Sequence, residues 1–557
     1  MISVHPPVHR HESLKAQLGI PCWKQGLTVF FTDNVPISHS TGRLLVGAVA
    51  KMMDAHFKGK PIQDANWVEL GSGSGIFARQ LLDIMDKEHP EFYDRFSFTI
   101  TDSSQALIDQ VKHSGLLNHH LDHVRFETVD FHRIHFKEQP NGVYFSYLFD
   151  SLPTAHLHIV EGKPFVVKVE TQIPENLTLI DTDHFPPTIL SGDALLAKLR
   201  APDTFSAPFA RRVNAHIQEN YVEVPLEKSG LSDQDQNDIL EFLAHSKIQN
   251  GYFNVQLEVS KFFANLHLAL SDDALVLIHD FGHSSMDLCQ GPSLLTTDFG
   301  AFCFYAVFFP YIQYVGQKYG FDYATTSHYP EAEYTQFMAF SKTPLSQEFV
   351  DTLNTAMPNQ DAKKVFETTI EIGNLIKEPE NHLPKIESLW TALTPAQKQD
   401  YCLITKVATG YLKNGDPQTA ITLAETAAPV YQKIAIPLQI ILAQSFQAMG
   451  DLEKAEQHFK KALDISPYFA PAYFMLGSIY ASQKRSAEAQ SMLLHAIKLS
   501  TDLSWHTVVT VGLLAIQNGQ KDLAKTTLNW IIAAHHAHPD LVKPTAFAQA
   551  EHFIKLL

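Results

Sequence analysis

The stretch Trp67-Val68-Glu69-Leu70-Gly71-Ser72-Gly73-Ser74-Gly75 reads as a short buried strand running into a glycine-rich turn. A helix follows at once, with apolar residues at Ile76, Phe77, Leu81, Leu82 and Ile84. Strand, turn and helix N-terminus together form a nucleotide cradle. The glycines lack Cβ atoms, so the backbone can bend sharply and approach a ligand closely.

Working outward, four further segments end in an acid. Phe96 to Asp102 alternates like a strand. Val124 to Asp130, Gly142 to Asp150 and Ala274 to Asp280 follow the same pattern. In a doubly wound sheet, ligands bind beyond the carboxyl ends of the strands. Those ends carry Gly71, Gly73, Asp102, Asp130, Asp150 and Asp280. A dinucleotide fingerprint would need a third glycine one place after Gly75, where this chain has Ile76. The spacing Glu69-x-Gly71-x-Gly73-x-Gly75 resembles that of S-adenosylmethionine (SAM) methyltransferases. In that family the loop packs on the methionine part of the cofactor, and the acid lies near its amino group. The competing reading of the loop alone is a tight strand-to-helix turn with no ligand.

The 557 residues exceed one ordinary domain, so two or three are expected. The formal charge of −17 argues against a general nucleic-acid or anionic-membrane binder. Cys22, Cys289, Cys303 and Cys402 are far apart and form no C-x-x-C pair. A reducing, cytoplasmic setting is therefore expected. No signal or transit peptide is visible at the N-terminus. The longest apolar run, Phe299 to Val315, is too short for a membrane span and reads as an aromatic-rich buried helix or pocket wall.

Residues 1–64 form an N-terminal segment. Val29 to Pro36 reads as extended and Ser38 to Phe57 as a helix, with Leu44, Leu45, Val49, Met52 and Met53 on one side. Such a segment would lid the cleft or simply pack on the sheet. Residues 65–345 are the expected catalytic domain. Within it, 155–173 reads as a hairpin turning at Glu161-Gly162-Lys163. Residues 180–250 read as an insertion over the active-site face, and Asn254 to Leu270 as a helix. Residues 346–400 read as a helical linker, with Glu378 to Pro384 as the boundary candidate. The groups His279/Asp280/His283 and His119/His120/His123 span no single helix face or fixed ligand set and are not read as metal sites.

One ordered set of motifs resembles the MidA-like SAM-dependent methyltransferases, over roughly residues 25–340. The set is Glu69 to Gly75, Phe149-Asp150-Ser151-Leu152-Pro153, Glu258-Val259-Ser260 and His279-Asp280-Phe281-Gly282. That family includes the mitochondrial protein arginine methyltransferase that assists respiratory complex I assembly. Its fourth-strand motif Asn-Glu-x-x-Asp-Ala-Leu-Pro falls here on Ser146 to Pro153; the Asp, Leu and Pro match, and the Asn-Glu pair does not. Asp298 lies where the family has the acid of a later Asp-x-Thr motif. The resemblance implies SAM as cofactor, held by Glu69, Gly71, Ser72, Gly73 and Gly75, with Asp102 and Ser103 at the ribose and Asp130 and Phe131 near adenine. Asp150 and Asp280 would be catalytic, orienting the acceptor or taking its proton. Leu148, Pro153, Glu258, His283 and Asp298 would face the substrate.

From Tyr401 a 34-residue period runs to the end. Ile436 to Tyr468 is one unit, with Leu442, Ala443, Phe446, Ala455, Phe459, Ala462 and Pro467. The next carries Tyr473, Leu476, Gly477, Tyr480, Ala489, Leu493 and Ala496 at the same offsets. Weaker copies flank them, and the last helix, Pro544 to Leu557, would cap the stack. The pattern resembles tetratricopeptide repeats, which bind a protein or peptide on their concave face. The expected fold is thus an α/β Rossmann-like methyltransferase domain followed by an all-α tetratricopeptide solenoid. The expected function is methyl transfer, with a protein side chain, arginine included, as acceptor. A catalytically silent scaffold and a small-molecule methyltransferase are the competing readings.

Overall fold

A computed structural model describes residues 1–32, 43–58, 65–129, 134–284, 291–326, 335–356, 359–427 and 429–557. Its central sheet contains β1 (Ala65–Leu70), β2 (Phe96–Asp102), β3 (Val124–Thr128), β4 (Gly142–Ser146), β5 (Leu275–His283), β6 (Asp322–Thr325) and β7 (Thr335–Ser341). They lie in the order β3-β2-β1-β4-β5-β7-β6. The first five are mutually parallel, and β7 runs antiparallel to β5. Order 3-2-1-4-5 is doubly wound, so a crevice opens where β1 meets its two neighbours. The central parallel strands are buried on both faces, and Trp67, Phe98, Phe145 and Leu277 are fully buried.

Several elements depart from the sequence pattern. β4 stops at Ser146, and Asp150 sits on a 3-10 turn, Phe149–Ser151, instead of the strand. Tyr147 ends the strand in the left-handed region at φ 52°. That conformation is unfavourable for a residue with a Cβ. β5 runs on to His283, because Gly282 lets the backbone of Val307 pair alongside it. A Cβ at Gly282 would stand 1.8 Å from the Val307 carbonyl oxygen. Val29–Thr32 is helical where the sequence reads as extended. Gly251–Gln256 is a strand, so the helix begins only at Val259, not at Asn254. The aromatic run at 299–315 divides into a hairpin (Thr296–Phe299, Phe302–Tyr305), a short strand and the helix Phe309–Lys318.

A second, antiparallel sheet stands beside the first. Thr154–Val160 and Lys163–Ile173 form its central hairpin. Glu161 and Gly162 both have positive φ, as a two-residue hairpin turn requires. Gln218–Pro225, from the inserted region, adds a strand against Lys163–Ile173, and Gly251–Gln256 pairs with Thr154–Val160.

The repeats follow as helix pairs. Tyr401–Lys413 pairs with Pro417–Thr426, Ile436–Ala448 with Leu452–Ile465, Ala470–Ser482 with Ser486–Leu499, and Trp505–Gln517 with Lys521–Ala537. Helix starts at Ile436 and Ala470 are one 34-residue period apart. Pro544–Ile554 lays Ala546 and Ala550 against the last pair. No described helix is long and apolar enough to cross a membrane.

The array docks on the first domain through a buried arginine. Arg212 is 8% exposed. Its guanidinium donates to the carbonyls of Ile180, Ser500 and Thr501 and to the Thr182 hydroxyl. Thr182 in turn donates to the Lys498 carbonyl at 3.1 Å. Burial lowers the Arg212 pKa to about 10, which leaves it charged at neutral pH. Ile180 is buried in the repeat core, with Phe185 and Ile189 packed against it. Arg212→Ala would strand three carbonyls, so a loss of about 2–4 kcal/mol is expected. Denaturant unfolding of the full chain checks it, and Arg212→Lys should recover only part.

Candidate active site

The glycine loop is braced from below. Ser72 N–H donates to the Thr101 carbonyl at 2.8 Å, and Gly75 N–H to the Ser72 carbonyl at 3.0 Å. Gly71, Gly73 and Gly75 all have positive φ. At Gly73 the demand is double. Its φ is 52°, and a Cβ there would stand 3.1 Å from Cζ of Phe30. Asp102 links the loop to the end of β2. Its Oδ2 accepts from Gly73 N–H at 3.3 Å and its Oδ1 from Ser104 N–H at 2.9 Å. Burial raises its pKa despite these bonds.

Glu69 is the unusual member. It is 4% exposed, and its Oε2 has no hydrogen-bond partner among the described residues. Burial, then the charge of Asp102, pushes its pKa well above the usual carboxylate range. Such a group is costly unless a cation or donor meets it. The Ser72 hydroxyl beside it is also buried and unbonded among the described residues. An orphaned acid under a glycine cradle fits a ligand that brings its own positive charge. The amino group of SAM is such a charge.

Asp150 and Asp280 come together at the ends of β4 and β5. Both are buried, at 2% and 0% exposure. Their environments differ. Asp280 Oδ2 accepts from Phe149 N–H and its Oδ1 from Phe281 N–H, each at 2.9 Å. Asp150 has the Ser151 hydroxyl on Oδ1 at 3.1 Å, and its Oδ2 carries no hydrogen bond among the described residues. Burial raises both pKa values, Asp280 to about 7, and Asp150 lacks the backbone donors that offset the shift at Asp280. Asp280 therefore organises the Phe149–Ser151 turn, while Asp150 is the acid with an oxygen to offer. Tyr147 lies over them, half-buried, with its ring edge-on to His279 at 5.4 Å. The Ser146 hydroxyl lies 3.2 Å from His279 Nδ1.

The remaining sequence candidates scatter. Leu148 lies beside the loop, 3.4 Å from where a Cβ on Gly71 would stand. Ser103 is exposed next to Asp102. Pro153 leaves the turn, its carbonyl accepting from Leu257 N–H at 2.8 Å. Glu258 caps the helix Val259–Ala269 in the left-handed region and is exposed. His283 is buried at the end of β5. Asp298 belongs to the hairpin after β5 and forms an ion pair with Lys15 of the N-terminal segment. Asp130 and Phe131 lie outside the described residues. Among the described residues, the group with metal-ligand spacing is Glu378, Glu380 and His382, in the linker. His120 instead bonds Asp83 and Tyr93, and His123 the Phe96 carbonyl. Sequence reading missed Phe30 over the loop and the left-handed Tyr147. Neither belongs to a recognisable local motif.

Residues 44–298 match the model of a family described as "Putative S-adenosyl-L-methionine-dependent methyltransferase", and residues 446–510 match a tetratricopeptide repeat model. The first domain is a SAM-dependent methyltransferase. Its cofactor is SAM, and tetratricopeptide repeats follow it. A search of curated proteins returned no match. Among solved structures, an uncharacterized protein from Burkholderia thailandensis is 12% identical, with 62% of this chain and 90% of that one covered and a TM-score of 0.39. Another from the same organism, bound to S-adenosyl-homocysteine, is 13% identical, covering 56% and 79%, at a TM-score of 0.35. The MamA protein is 16% identical over 33% of this chain and all of its own, at 0.27.

Two expectations follow for the methyltransferase site. Gly73→Val should abolish S-adenosyl-homocysteine binding in calorimetry while the repeats stay folded by circular dichroism. The acid pair sets a pH signature. A carboxyl whose pKa is raised on folding holds its proton longer in the native state. Stability is then full below the unfolded value of 3.8 and is lost as pH rises through about 7. The ligand-free chain should therefore lose stability relative to Asp150→Asn between pH 4 and 7, measured as the difference in Tm.

Proposed function

We propose that this chain is a MidA-like protein methyltransferase whose repeats bring the protein acceptor to the domain. The observation that carries the cofactor half is Glu69, a buried acid with an unbonded oxygen beneath a cradle where any side chain at Gly73 would be strained and would press on Phe30. Glu69 would meet the amino group of the methionine part, the backbone of Gly71 to Gly75 would line it, and Asp102 has lone pairs left for ribose hydroxyls. SAM, when bound, supplies a methyl group made electrophilic by its sulfonium.

The residues of this chain then have to align an acceptor, exclude water and take up one proton. Asp150 suits the last task. It is buried, has one oxygen free of hydrogen bonds among the described residues, and has a raised pKa. As the acceptor lone pair forms its new bond to carbon, the proton lost by the acceptor passes to Asp150 in its ionised form, which the positive charge of the bound sulfonium favours and which a raised pKa makes the stronger base. Asp280 holds the turn that carries Asp150. Tyr147 stands where relatives have a glutamate, so an arginine acceptor would be gripped by a single carboxylate instead of a pair. Repeats of this kind support a protein partner, and the fused arrangement keeps that partner near the site.

The test uses SAM labelled on its methyl group, the purified full chain and a protein extract. Label should enter proteins, and Asp150→Asn should cut the initial rate roughly 10²–10⁴-fold without loss of S-adenosyl-homocysteine binding. Label confined to small molecules would overturn the protein acceptor.

A further inference from the structure

The repeats touch the methyltransferase domain at a second place, and that place is the glycine-loop helix, Ile76–Glu88. Ile76, its first residue, is fully buried in one cluster with Tyr401 and Ile404 of the first repeat and Tyr431 of the short helix that follows it, Pro429–Gln432. One turn later, Gln80 Nε2 donates to the Tyr431 hydroxyl at 3.1 Å. Lys433 donates to the carbonyl of Gly115 at 2.8 Å, and Arg79 to the adjacent carbonyl of Leu116 at 2.7 Å. Phe30 closes the circuit. It packs against the same repeat cluster and lies over Gly73.

A helix is a stiff rod, so its first turn and the loop that leads into it move together. The backbone N–H groups of Gly73 and Gly75 are set by where Ile76 begins. Ile76 is set in turn by the first repeat. Cofactor and acceptor alignment is sensitive to displacements of about 1 Å. An element that fixes the helix start therefore belongs to the site, although it touches no ligand.

We propose that the first repeat is a structural part of the cofactor site, with Phe30, Gln80 and Tyr431 as positioning residues that hold the glycine loop in its binding geometry. This rests on the assignment of the loop to SAM. By linkage, the coupling is reciprocal: whatever tightens the first repeat tightens SAM binding, and bound SAM orders the first repeat. A partner seated on the array would thereby tune the enzyme as well as deliver substrate.

Calorimetric titration of S-adenosyl-homocysteine into full-length variants tests this. Tyr431→Phe combined with Lys433→Ala keeps the buried ring and removes both polar ties. It should weaken binding about 5-fold or more. Phe30→Ala should weaken it further. Leu528→Ala, a core change in the last repeat, loosens the array elsewhere and should leave the affinity unchanged. In the wild type, S-adenosyl-homocysteine should slow hydrogen exchange in residues 401–413 and 429–435, the first helix of the first repeat and the segment that carries Tyr431 and Lys433. Wild-type affinity in the double variant, or an equal loss in Leu528→Ala, would overturn the coupling. A wild-type chain that binds no S-adenosyl-homocysteine would instead overturn the cofactor assignment beneath it.

Discussion

Four carboxylates, Glu69, Asp102, Asp150 and Asp280, are buried along one edge of one sheet. Among the described residues, none is paired with a lysine or arginine. Burying a charge without a counter-charge is among the most expensive things a fold can do. The protein offsets part of this with backbone N–H groups. Asp102 takes two, from Gly73 and Ser104, and Asp280 takes two, from Phe149 and Phe281. These bonds shape the loop and the turn that make up the site. The acids left over, Glu69 and Asp150, have their pKa values pushed up by burial. In the proposed reaction a cationic cofactor would resolve the conflict at Glu69, and an ionised Asp150 would take up the proton that the acceptor releases. Much of the site follows from how this electrostatic deficit is shared out.

The contrast between acids in chemically equal positions is instructive. Asp150 and Asp280 look interchangeable as letters at strand ends. Their backbone surroundings separate them. Asp280 sits at the centre of a ring of N–H donors and acts as a brace, whereas Asp150 sits on the turn that the brace holds. The same division of labour runs through the larger architecture. The repeats read as an independent module, yet they are fastened at two points of the methyltransferase domain. One is the buried guanidinium of Arg212, satisfied by carbonyls from both partners. The other is Ile76 at the head of the glycine-loop helix. Such fixing makes the array part of the enzyme's framework.

The sheet was legible because its central strands are buried on both faces, so β1, β4 and β5 appear as short apolar runs and β2 as an alternating run closed by Asp102. β2 matches its sequence pattern from Phe96 to Asp102. The repeats were legible because a fixed period needs no tertiary information. Reading failed where chain direction changes by conformation instead of composition. Tyr147 adopts a left-handed backbone that tyrosine rarely takes, so nothing local marks the end of β4. The run from 299 to 315 is apolar throughout, and its division into hairpin and helix depends on partners such as β5 that lie elsewhere in the chain.

By itself the sequence determined the parallel strands, the glycine turn between β1 and its helix, the acid at the end of β2 and the repeat period. These are properties of local spacing and of which side chains can be buried. The tertiary structure alone decided that Asp280 is braced and Asp150 is not, that Phe30 covers Gly73, and that the first repeat carries the start of the cofactor helix. Each of these joins residues far apart in the chain, where packing and hydrogen-bond geometry choose among side chains that the sequence presents as equals.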